Sequence, residues 1–500
     1  MISRIASNYQ HKKKESNMSI HSRRDFLIKS GLGLGAGALT GLLPGGGLLS
    51  AATAAELIDP LAAKAPHFPA KIKSVIWLHQ NGAPSTLDLY DYKPDLQKLA
   101  GQPVPASFLK GIKTSTQGGV GKLYVSKERT WKQYGESGAW FSSLLPNLAQ
   151  HADKITFIKS STTIGATHDI SILKLNTGDL NPGRPSLGAW ISYALGAANP
   201  DLPPYVVLYN GDREPSAGSV NWSSGFLPAV YQGTAFRPGD SPILYLERPE
   251  LRSAAQQRAS LDLLKQLNNL GAQRYPNDTE LRARLRSYEL ADRMQVAAPA
   301  AVDISKESAA TKELYGLNDK VSQSYGEVLL RARRLVENGV RFVQVVSGYP
   351  EGVESDRQSW DAHSELDENH GVMARMVDKP IAGLLHDLKE RGLLDTTLVV
   401  WASEFGRTSW GESGTGRDHN PWGYTQWMAG GGLKAGYTYG ETDEVGLQVA
   451  DKDKAVDTYD LHATVLQLMG LDHLKTTFLN NGRSERPTVV YGKVIKEILA

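Results

Sequence analysis

Five short apolar runs limit the fold more than any other feature of this chain. They span Lys73–His79, Ile155–Ile158, Pro204–Tyr209, Val340–Val346 and Thr397–Trp401. Their apolar residues are mostly consecutive rather than alternating. That pattern suits strands covered on both faces, as in a parallel sheet. Helical spacing precedes two of them, over residues 327–337 and 379–391. Strand and helix in alternation predict an α/β fold with a mostly parallel central sheet and helices on both faces. Residues 248–300 carry Leu, Arg, Gln and Glu at helical spacing, which predicts a helical insertion or cap. Residues 296–310 read as a linker, so the insertion is expected to occupy about 248–310.

In parallel sheets, ligands bind beyond the carboxyl ends of the strands. The polar residues just past the runs are therefore the candidates for chemistry. Asn81 follows the first run, and residues 160–169 follow the second. Asp361, His363 and His370 lie downstream of the fourth, and Glu404 follows the fifth. Arg407, three residues on, has the fork geometry to hold an anionic substrate. A third cluster, Arg417-Asp418-His419, precedes an apolar stretch and three glycines that match no phosphate-binding loop. Imidazoles interleaved with carboxylates are the usual ligand set for a divalent metal. Zinc, calcium, magnesium and manganese all remain open. His462 sits in a helical pattern and is expected to pack, as is His473.

Composition removes other classes. The chain has no cysteine, which excludes disulfide scaffolds, cysteine-ligated metals and cysteine nucleophiles. Its 55 basic and 53 acidic residues offer no excess for nucleic acid. Residues 1–55 stand apart: a basic start, Ser22-Arg23-Arg24-Asp25-Phe26-Leu27, a Gly/Ala/Leu run, then Ala51-Ala52-Thr53-Ala54-Ala55. This resembles a twin-arginine export signal, with the translocase as a transient partner and a periplasmic or secreted mature chain as the outcome. Glycines and Pro44 in the apolar run argue against a stable membrane span. Without the signal, 48 basic and 51 acidic residues remain, a net charge near −3.

Longer motifs point to a family. The string LPNLAQHADKITFIKSSTTIGATHDISILKLNTG resembles the sulfatase pattern of helix, strand, nucleophile loop and closing "LLTG". IAGLLHDLKERGLLDTTLVVWASEFGRT resembles that superfamily's helix–strand–"SDHG" segment. Together with DYKP, RPSLGAW, WDAH, GRDH and DLHATVLQLMGLDH, these resemble the sulfatase-like family called domain of unknown function 1501, over residues 71–500. The resemblance implies an alkaline-phosphatase-like α/β fold over residues 56–500 and a metal-dependent hydrolase of sulfate or phosphate esters. It places a neutral Asn81 where a first-strand Asp is usual, with Asp88 as a substitute. It places Glu404-Phe405 at the Asp-His pair, His419 at the late histidine, and Asp361 with His363 or His370 at the upstream pair.

His168 falls where the nucleophile normally stands, as nucleophile, ligand or acid/base group. Asp418 is a further candidate ligand, with Arg417 as an anion contact. The missing cysteine excludes a cysteine-derived formylglycine. The expected partner is a small-molecule or glycan ester. The departures at Asn81, Phe405 and His168 support an alternative, a domain that binds a glycan or a protein without turnover. No dinucleotide fingerprint follows any strand, which counts against an oxidoreductase.

Overall fold

The computed structural model describes residues 59–112, 119–211, 217–237, 253–274, 279–348, 350 and 359–500. The predicted signal lies outside the described residues. All five apolar runs form strands of one eight-stranded sheet. In chain order the strands that matter are β1 (Ser74–His79), β2 (Ile155–Ser161), β3 (Tyr205–Tyr209), β4 (Thr234–Phe236), β5 (Phe342–Val346) and β6 (Thr397–Ala402). They continue with β7 (Gly406–Glu412), β8 (Gly416–Asn420), β9 (Tyr424–Gly430) and β10 (Thr438–Tyr439). The sheet order is β10-β2-β9-β6-β1-β5-β3-β4. Only β9 runs against its neighbours, being antiparallel to both β2 and β6. β7 and β8 form a separate antiparallel hairpin.

Strand periodicity explains why the runs have to be apolar throughout. Ile76 and Leu78 of β1 enter one core with Val343, Val345 and Trp401. Val75 and Trp77 enter the other with Phe342, Leu398 and Val400. Successive side chains point to opposite faces, and both faces are covered. On the first face lie α5 (Lys320–Glu337) and α6 (Leu366–Glu390). On the second lie α2 (Leu187–Leu195) and α7 (Thr458–Leu468).

One expectation needs correction. Residues 296–302 are no linker: they complete α4 (Thr279–Val302), which follows α3 (Ala254–Arg274) in the predicted helical segment. Leu290, Met294, Ala298, Ala301 and Val302 are buried at helical spacing. Alanine has the highest helix propensity, so an alanine-rich stretch can hold a helix without large side chains. The residues around Arg407 and His419 form the β7–β8 hairpin. They face each other across β7 and β8, with Arg407 opposite His419.

Since β1, β2, β5 and β6 run in one direction, their carboxyl ends share an edge of the sheet. His79 closes β1 and Glu404 follows β6. The loop after β2 leads into α1 (His168–Thr177), which begins with His168. Asp361 and His363 lie in the loop before α6.

Candidate metal centre

Four nitrogen atoms converge on one carboxylate oxygen. Arg407 Nη2 lies 2.5 Å from Asp361 Oδ1. His363 Nε2 is at 3.0 Å, His168 Nε2 at 3.3 Å and His419 Nε2 at 3.4 Å. Each imidazole is fixed from behind by an acceptor. His168 Nδ1 is 2.8 Å from Glu404 Oε1, His363 Nδ1 is 2.6 Å from Glu412 Oε2, and His419 Nδ1 is 2.6 Å from the Ala166 carbonyl. Carboxylates and carbonyls only accept, so each Nδ1 carries a hydrogen and Nε2 is the atom that each ring turns inward. His363 Nε2 and His419 Nε2 are then only 3.0 Å apart. Two lone pairs cannot face each other at that distance without a cation or a proton to share.

The electrostatics follow from this crowding. Burial alone would raise the Asp361 carboxyl, but bonds to the three histidines, helped by Arg407, hold it far below the usual carboxylate range. Burial opposes charge on His168, yet Asp361 and Glu404 together raise it to about 9. The bond to Asp361 raises His363, whereas burial lowers His419. Glu404 is wholly buried, which would raise it, but His168 and His79 keep it well below its ordinary range.

Local backbone serves this arrangement. The Gly82 N–H donates to Glu404 Oε1 at 3.0 Å. Its φ is +97°, and a Cβ there would sit 2.7 Å from the Asp361 nitrogen, so only glycine fits. Phe405 packs its ring 5.0 Å from His168 and 4.4 Å from His419. Phe405 thus braces two of the converging histidines.

A metal fits these residues on grounds of donor chemistry. Donor atoms of His168, Asp361 and His419 lie within 4.8 Å of one another, as do those of His363, Glu412 and Asp418. His168 Nε2 is buried without a hydrogen-bond partner of good geometry. Imidazoles held at Nδ1 by carboxylate or carbonyl are the usual support of a metal ligand.

Four predicted residues do not join the cluster. His370 Nε2 accepts the Ser85 N–H at 2.9 Å and its Nδ1 lies 3.1 Å from Asn369 Oδ1, so its lone pair is already used. Complete burial lowers it to about 3 and keeps it neutral. Arg417 is not free to meet an anion. Its Nε donates to Asp88 at 2.8 Å, its Nη1 to the Thr408 carbonyl and its Nη2 to that of Tyr124. Asp88 is therefore tied up as well and does not substitute for Asn81. Asn81 lies two residues past His79, with its N–H on Ser347 Oγ at 3.0 Å.

Arg407 does touch the cluster, but only through Asp361. Its other donors reach the carbonyls of Gly82, Ala83 and Arg417. The Asp418 carboxylate accepts its neighbour's His419 N–H at 2.6 Å. Glu404 stands behind His168 rather than at the convergence point. His462 and His473 pack, as expected, against the Leu175 carbonyl and the Thr488 hydroxyl.

Two participants escape the sequence. His79, whose Nε2 is 3.4 Å from Glu404 Oε2, closes the first apolar run. Its signal was its position as the last residue of a strand. Glu412 pairs with His363 across 49 residues, and no local signal marks it.

Residues 72–499 match the family described as "Protein of unknown function (DUF1501)". The chain belongs to this family. No match to a curated protein was found. Among solved structures it is similar to the lipoteichoic acid synthase LtaP from Listeria monocytogenes at 10% identity, covering 83% of this chain and 77% of that one, with a TM-score of 0.34. The PsFucS1 sulfatase from Pseudoalteromonas sp. is similar at 15% identity, 80% and 68% coverage and a TM-score of 0.35. A protein in the alkaline phosphatase superfamily from Vibrio parahaemolyticus is similar at 11% identity, 88% and 74% coverage and a TM-score of 0.35.

Proposed function

We propose that this DUF1501 protein is an exported, divalent-metal-dependent hydrolase of sulfate or phosphate esters. The observation that carries the proposal is the convergence of three Nδ1-anchored imidazoles on Asp361 Oδ1. His168, Asp361 and His419 would hold the metal, with His363 beside them. Such an ion, when bound, polarises an ester oxygen and lowers the pKa of water. His168 is assigned a ligand role rather than that of nucleophile, because its donor atom lies within 4.8 Å of those of Asp361 and His419. Glu404 and Glu412 keep the His168 and His363 rings in the tautomer that presents Nε2. Arg407 holds Asp361 in place and neutralises part of its charge. His363 is 38% exposed and Asp361 33%, so an ester can approach from their side.

The Arg407 contact favours a second reading, a domain that binds without turnover, because a cation already faces Asp361. The two readings separate on one assay. Mature protein loaded in turn with zinc, manganese, magnesium and calcium is given aryl sulfates and aryl phosphates. Turnover that a chelator abolishes and that His168→Ala removes is expected. No turnover with any of these metals would leave only the binding domain.

A further inference from the structure

A cleft of about 830 Å³ is lined by residues of α1 and α7. It shares α1 with the candidate centre: Lys174, six residues after His168, lines it. At 1.5 Å per residue, Lys174 and His168 lie roughly 9 Å apart along the helix axis. Ile164 also lines it, two residues before the Ala166 carbonyl that anchors His419.

The walls of the cleft are amphipathic. The rings of Tyr459 and Tyr491 pack 5.1 Å apart at 34°. Tyr491 is 61% exposed. Lys174 Nζ sits 4.8 Å over the Tyr459 ring while donating to Asp457 at 2.7 Å. Among the described residues, no hydrogen bond engages the hydroxyls of Tyr439, Tyr459 or Tyr491. Four cationic and four acidic side chains line the cleft, so it carries no net charge to attract a polyion. Tyrosine faces take up apolar C–H surface while their hydroxyls and the flanking charges donate and accept hydrogen bonds. A volume of this size is that of a small-molecule site.

We propose that the cleft binds a neutral carbohydrate, with sugar C–H faces against Tyr491 and hydroxyls on the surrounding polar groups. As the site of the substrate's sugar portion this rests on the hydrolase reading; as a binding site it does not. The test is binding of the mature protein to an array of neutral oligosaccharides (glucans, mannans, xylans and arabinans), followed by calorimetry on the best of them. Tyr491→Ala should weaken binding at least about tenfold, the loss of one aromatic anchor, while Tyr491→Phe keeps most of it. His168→Ala should bind as well as wild type, even if it is inactive. Binding of that kind by a protein inactive on every ester would sink the hydrolase reading and leave this inference standing. Absence of binding to any neutral oligosaccharide would overturn the inference, as would equal affinity of Tyr491→Ala and wild type.

Discussion

At the scale of single residues, hydrogens and lone pairs decide what each histidine can do. His168 is a half-buried and His370 a buried imidazole near the same sheet edge, with opposite fates. Glu404 takes the Nδ1 hydrogen of His168 and leaves Nε2 to face Asp361. Ser85 occupies Nε2 of His370. Two predictions follow from that difference. Glu404→Gln should keep the fold but lower metal affinity about 10- to 100-fold, the usual cost of losing a carboxylate behind a ligating histidine. Competition with a chromogenic chelator measures it.

His370 instead governs acid stability. Its pKa is near 3 in the fold and about 6.5 in the unfolded chain, so below pH 6.5 the unfolded chain takes up a proton that the fold refuses. Its contribution is complete above pH 6.5 and is lost as pH falls toward 3. The slope is up to about 1.4 kcal/mol per pH unit. Urea unfolding between pH 7 and 5 should show a shallower pH dependence for His370→Gln than for wild type.

At the scale of elements, the β7–β8 hairpin does two jobs. Its ladder slips between Arg417 and His419, so Arg417 reaches Asp88 while His419 reaches the cluster. Such slips re-aim side chains. Arg417→Ala would strand the buried Asp88 carboxylate, and breaking a buried pair costs about 3–5 kcal/mol. The expected result is a large drop in unfolding free energy by denaturant titration. Unchanged stability with weakened anion binding would restore Arg417 as a substrate contact.

The hairpin also shows where the sequence stops being legible. The five strands could be read because two-sided burial forces unbroken apolar runs. The placement of Glu404 could be read because a strand end points it. The pairing of Arg417 with Asp88 spans 329 residues, and nothing local to either marks it. The same holds for Glu412 behind His363. His79 was hidden for another reason: it ends an apolar run and was counted as strand rather than as strand end.

At the scale of the whole molecule, one mostly parallel sheet gathers the ends of the first and sixth strands, the start of α1, a loop and a hairpin at a single edge. Among the described residues, no helix is long and apolar enough to cross a membrane. Export is an expectation carried by Arg23 and Arg24. The double change Arg23→Lys and Arg24→Lys should hold the chain in the cytoplasm, as cell fractionation would reveal; unaltered export would assign it to another route.

The account stands on the metal. Elemental analysis by mass spectrometry of the mature protein, purified from cells grown in metal-replete medium, tests it most directly. At least one divalent ion per chain is expected, and it should be lost in the Asp361→Asn, His419→Ala double variant while the fold remains. A folded wild-type chain without stoichiometric metal would contradict the account.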